Sequence, residues 1–123
     1  MSSFSIQMKP HVNAEIAAAF EARNKENFQL EFAHLERAHI LGQNSTFLHV
    51  KVHCLMLIWG WKQRDVRESL GQLVRIAGAL TKTALGFVPV GNTGGSKVSP
   101  FKTMSIPADL QALIQTANSS RSH

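Results

Sequence analysis

Apolar residues recur along most of this chain at three- and four-residue spacing, the period of a helix that buries one side. Asn13 is placed to cap a helix through Ala14-Glu15-Ile16-Ala17-Ala18-Ala19-Phe20 to about Arg23, with a break near Asn24. A second helix is predicted from about Asn27; Phe28, Phe32, Leu35 and His39 share one narrow face, Arg37 points away, and Gly42 ends it. Asn44 or Ser45 can cap a third, running to Gln63. Its stretch Leu48-His49-Val50-Lys51-Val52 also alternates as a strand would, but the helical run continuing through Trp59 favours helix. Asp65 followed by Glu68 reads as a capping box opening a fourth helix, with Val66, Leu70, Leu73 and Ala77 as its buried stripe and an end near Gly86.

The pattern then changes. Residues 86–106 hold Gly86, Pro89, Gly91, Asn92, Gly94, Gly95 and Pro100, a loop too long to be a mere connection, with Val98 and Phe101 available to pin it to the helical body. Pro107 starts a short closing helix striped by Leu110, Leu113 and Ile114; residues 1–10 and 118–123 read as flexible ends. An echo at an offset of 38 matches Phe28, Phe32, Ala33 and Leu35 to Val66, Leu70, Gly71 and Leu73, as two tandem helical hairpins would. The expected fold is therefore all-α and one domain over residues 1–123. Its helical hairpins are tetratricopeptide-like or form a four-helix bundle, followed by the Gly/Pro-rich loop and the C-terminal helix.

With 123 residues the chain can bury one core. No apolar stretch is long enough to span a bilayer, and the N-terminus lacks the charged start and cleavage site of a secretory signal, so a cytoplasmic protein is expected. The lone Cys54 excludes an intrachain disulfide and a multi-cysteine zinc site; its apolar surroundings predict a buried, inert thiol. The net charge of +5 is uneven: four Lys/Arg against five Glu in residues 1–43, nine against three acids in residues 44–123. Basic residues at this density more often make a solvated helix face, and the absence of Tyr leaves little for base stacking, which argues against a nucleic-acid partner.

The chemistry concentrates at the turn between the second and third helices. Glu36-x-x-His39 and His49-x-x-x-His53 each place their members on one helix face, and a short connection makes the two helices antiparallel, so the four side chains can converge at similar heights. Helical bundles build metal sites this way, and mixed imidazole and carboxylate ligands suit zinc, nickel, cobalt or iron better than calcium or magnesium. The bland alternative is a set of hydrogen-bonded core histidines paired with Glu36. His34 lies well round the helix from His39 and reads as outlying or surface. Met56 and Gly60 continue the face of His49 and His53, and Gly60 permits a close helix approach. Gly91-Asn92-Thr93-Gly94-Gly95 offers backbone N–H groups but lacks the Gly-Lys-Ser/Thr ending of a nucleotide loop. Were it to meet the histidines in space, a substrate site between the two elements would come into question.

Leu35-Glu36-Arg37-Ala38-His39-Ile40-Leu41-Gly42-Gln43, His49-Val50-Lys51-Val52-His53, Thr83-Ala84-Leu85-Gly86 and Gly91-Asn92-Thr93-Gly94-Gly95 resemble the motifs of a small bacterial family of unknown function, over about residues 28–110. The resemblance implies no established activity. Members resemble, in their gene surroundings, proteins carried with heavy-metal resistance and efflux systems, so the resemblance implies a link to metal handling. The leading expectation is thus a transition-metal-binding helical protein with ligands Glu36, His39, His49 and His53. Its rival is an interaction module, with a protein partner or a second copy of itself, whose histidines are structural.

Overall fold

The computed structural model describes residues 3–85, 94–95 and 103–121. Among them are five helices and no strand: α1 (Ser3–Asn24), α2 (Phe28–Gly42), α3 (Thr46–Lys62), α4 (Val66–Leu85) and α5 (Ala108–Arg121). The all-α expectation holds, and the alternating stretch at residues 48–52 lies in α3. The most extensive packing is within the hairpins α1–α2 and α3–α4; α2 then packs on α3, and α5 closes over α1 and α2.

Helix α1 begins ten residues before its expected cap. Phe4, Met8, Val12 and Ile16 repeat every four residues and are all buried, so the apolar stripe runs unbroken through the segment expected to be flexible. Burying two side chains the size of Phe4 and Met8 stabilises the fold by about 1.5–3 kcal/mol each, more than one N-cap at Asn13 contributes. Asn13 instead lies exposed within α1, accepting a hydrogen bond from Lys51 Nζ at 3.2 Å. Pro10 sits on the exposed side of the helix, where water can serve the carbonyl it leaves without a donor. At the other end α5 carries helix through residue 121, and Ala117 joins Leu110 in the core, so residues 118–121 are helical; residues 122–123 lie outside the described residues.

The two hairpins turn in the same way. Glu26 and Arg64 adopt left-handed φ values of 58° and 56°. The next N–H in each case reaches back five residues, Asn27 to the carbonyl of Ala22 (2.9 Å) and Asp65 to that of Gly60 (2.8 Å). These are Schellman ends, which satisfy carbonyls the helix leaves open. The same Asn27 and Asp65 then cap the following helix, Asn27 Oδ1 accepting from Leu30 N and Asp65 Oδ1 from Glu68 N. The 38-residue echo is therefore real in the turns.

It fails in the stripes. Leu35 is buried and Phe32 packs on the core, but Val66, Leu70 and Leu73 are 69%, 58% and 52% exposed. The face of α4 turned inward is the polar one, Glu68 and Gln72, followed by Ala79. Helix α4 is rotated because its inner face serves a polar cluster on α2 and α3. Gly60 allows it to come close: a Cβ there would lie 3.0 Å from Ser69 Oγ and 3.2 Å from Ser69 N.

Candidate metal centre

Helices α2 and α3 are joined by a short turn in which Ser45 caps α3, its Oγ accepting from Leu48 N and from Ser5 Oγ of α1. That anchorage sets the register of α3 against α2. On α3, Leu48, Val52 and Met56 face the apolar core, while His49 and His53, one position further round, are buried against α2 and α4. His39 is contributed by α2.

The three imidazoles meet at their Nε2 atoms. His39 Nε2 lies 3.0 Å from His49 Nε2 and 3.1 Å from His53 Nε2, and the latter two are 3.0 Å apart. All three residues are at most 8% exposed. They form a compact group of potential ligand atoms among the described residues. Glu36, half-buried on α2, is not a member of that group. A three-residue step turns the helix by about 60° short of a full circle, enough to carry position 36 away from the point where the rings converge. His34 is also elsewhere: its Nδ1 is 2.7 Å from Glu15 Oε2 of α1, and Arg37 Nε donates to the other oxygen of Glu15 at 2.9 Å and also pairs with Asp109 of α5.

The polar face of α4 defines the state of His53. The Gln72 amide nitrogen donates to Glu68 Oε1 at 3.2 Å and to the carbonyl of Gly94 at 2.9 Å. Both partners are acceptors, so the amide oxygen must face the other way, where it lies 2.6 Å from His53 Nδ1. His53 therefore carries its proton on Nδ1 and presents the bare lone pair of Nε2 to the other two rings. Burial pushes the His53 pKa down to about 4, helped by the charge of Arg75 and opposed by the Gln72 hydrogen bond and by Glu68, so the ring is neutral at pH 7. A carboxylate, an amide and an imidazole thus stand in series, the kind of outer support that metal-binding histidines use to fix tautomer and orientation.

From the glycine motif, Gly94 and Gly95 are described and both are buried; Gly91, Asn92, Thr93, Val98 and Phe101 lie outside the described residues. Gly94 has φ +85°, and a Cβ on it would fall 2.5 Å from His39 Cδ2 and 2.8 Å from His39 Nε2. A Cβ on Gly95 would contact Phe32, whose ring packs 4.4 Å from that of Trp59. Gly94 is thus brought to the histidines, its backbone resting on the His39 ring. Only glycine fits there, on both conformational and steric grounds.

Sequence reading found His39, His49 and His53 and missed Glu68, Gln72 and the role of Gly94. The available signal was the polar line Glu68-x-x-x-Gln72 opposite an apolar stripe, which looks like any solvated helix face. Cys54, expected to be buried, is exposed, because the residue after His53 turns about 100° away from the interior.

The family described as "Protein of unknown function (DUF3703)" matches residues 6–114. The chain belongs to that family. The match takes in α1, α2, α3 and α4 almost entirely, with the start of α5, so it reaches beyond residues 28–110 at both ends and includes all three clustered histidines, Gln72 and Gly94. No curated protein and no solved structure matches.

Proposed function

We propose that the protein binds a divalent transition-metal ion through Nε2 of His39, His49 and His53, as a metal-handling or sensing protein. The observation that carries this reading is the meeting of three buried imidazole nitrogens within 3.0–3.1 Å of one another, one of them held as a bare lone pair by Gln72. Lone-pair nitrogens repel at that separation unless a proton or a cation lies between them, and a cation near all three satisfies them together. Nitrogens 3.0–3.1 Å apart are close enough that His39, His49 and His53 would together hold one ion at the usual imidazole distance of about 2.0–2.1 Å. Glu36 is left out of the ligand set.

The surroundings favour holding an ion over turning over a substrate. The histidines are buried, and Gly94 lies directly against the His39 ring. Imidazole ligands must be unprotonated to bind, and burial already keeps His53 so at neutral pH.

The test is metal content by inductively coupled plasma mass spectrometry on untagged protein purified without chelators. One equivalent is expected in the native protein and in Glu36→Gln, and none in His39→Ala/His49→Ala. Cobalt(II) added to the native protein should give an absorption spectrum that reports nitrogen ligation. No metal in the native protein after incubation with zinc, nickel, cobalt and ferrous iron would overturn the reading, and loss of metal in Glu36→Gln would restore Glu36 to the ligand set.

A further inference from the structure

Helix α4 has a second face that is apolar and exposed. Val66, Leu70, Leu73, Ala77 and Leu80 follow one another at steps of four, three, four and three residues, the 3.5-residue period of a coiled-coil seam. All five are exposed, Val74 beside them is 70% exposed, and Leu80 borders an apolar hollow with Phe47 and Val50 of α3. The apolar surface offered by this seam with Phe47 is roughly 600 Å², at the upper end of what a monomer leaves in water. At the roughly 65% apolar content of homodimer interfaces it corresponds to about 900 Å² per partner, the size of a standard stable interface.

We infer that α4 pairs with α4 of a second copy of this chain in an antiparallel two-helix seam. A period of 3.5 specifies another helix as the occupant, and an apolar stripe of this regularity is complementary to itself under a two-fold axis. The flanking positions carry one charge, Arg67. In a parallel pair this charge would face its own copy across the seam. An antiparallel pair separates the two by about 24 Å, well beyond screening distance, and opposes the helix dipoles. In that register Leu70 lies opposite its partner's Leu80 and enters the hollow beside Phe47, while Leu73 lies opposite its partner's Ala77. The same rotation that turns Glu68 and Gln72 toward His53 presents the seam, but the pairing does not depend on whether a metal is bound.

Sedimentation equilibrium on the metal-free chain at about 100 µM should give twice the 13.6 kDa chain mass. Leu70→Glu/Leu73→Glu should give the single-chain mass with unchanged far-ultraviolet circular dichroism. A monomeric native chain, a variant that stays dimeric, or a variant that loses its helices would each overturn the inference. In a Cys54→Ser background, Leu70→Cys/Leu80→Cys should form interchain disulfides under mild oxidation, since the two positions lie about 15 Å apart within one helix and cannot bridge internally. Cross-linking of Leu70→Cys alone would establish a parallel pair and overturn the antiparallel one.

Discussion

Gln72 can be replaced with little change of volume and a large change of chemistry. In Gln72→Leu, the His53 Nδ1–H loses an acceptor at 2.6 Å, and Glu68 Oε1 and the Gly94 carbonyl lose donors at 3.2 and 2.9 Å. The site is fully buried, so each lost bond leaves a desolvated polar group worth about 1–3 kcal/mol, with sharing among neighbours keeping the total near 2–4 kcal/mol. The effect on metal is separable from the effect on stability. Without Gln72 the His53 proton is free to move to Nε2, the atom proposed to bind the metal, and loss of such an outer partner should lower metal affinity about 10- to 100-fold. The assay is competition against a chromophoric chelator at pH 7.5 and a temperature where circular dichroism shows the variant folded. Long-range nitrogen–proton NMR of the histidine rings in the metal-free protein would be recorded beside it. Native protein should show His53 as the Nδ1–H form and the variant should not. An unchanged tautomer with unchanged affinity would refute the argument that Gln72 sets the metal-binding state of His53.

Gly94→Ala should destabilise the protein by about 2–4 kcal/mol in chemical denaturation, from the left-handed backbone and the contact with the His39 ring, and weaken metal binding; full retention of both would show that Gly94 does not rest on that ring. Metal-free protein should lose stability as pH falls. His53 titrates near 4 when folded and about 6.5 when unfolded, so the unfolded chain binds the extra proton between those values; the full contribution is present above about pH 6.5 and some 3 kcal/mol of it is gone below pH 4. Urea midpoints for native protein and His53→Asn check this, and parallel slopes between pH 6.5 and 4.5 would refute it. Cys54 should react with a thiol reagent in the folded protein at close to the rate of the unfolded chain, and strong protection would contradict its exposure.

Local rules written into single residues were legible in advance. Ser45 and Asp65 cap the helices expected of them, α2 starts next to Asn27 as expected, Gly42 ends it, and the 38-residue echo marks two turns of the same kind. Capping and turn geometry depend on residues a few positions apart, so the sequence states them directly. The histidines were legible for a related reason: helical spacing on either side of a short turn constrains heights as well as faces.

What tertiary structure alone decided is which way each helix turns. Glu36 and His39 share one side of α2 on a wheel, yet only His39 reaches the point fixed by two rings from α3. The apolar stripe of α4 predicts burial, but Gly60 brings that helix close to α3, and the buried demands of His53 draw Glu68 and Gln72 inward and leave the leucines outside. A wheel ranks faces by hydrophobicity; the fold ranks them by what lies opposite, and a buried imidazole needs a hydrogen-bond partner more than it needs another leucine. Gly94 shows the same limit at longer range. Its place against His39, 55 positions away in the chain, follows from packing of separate elements, and no local pattern records it.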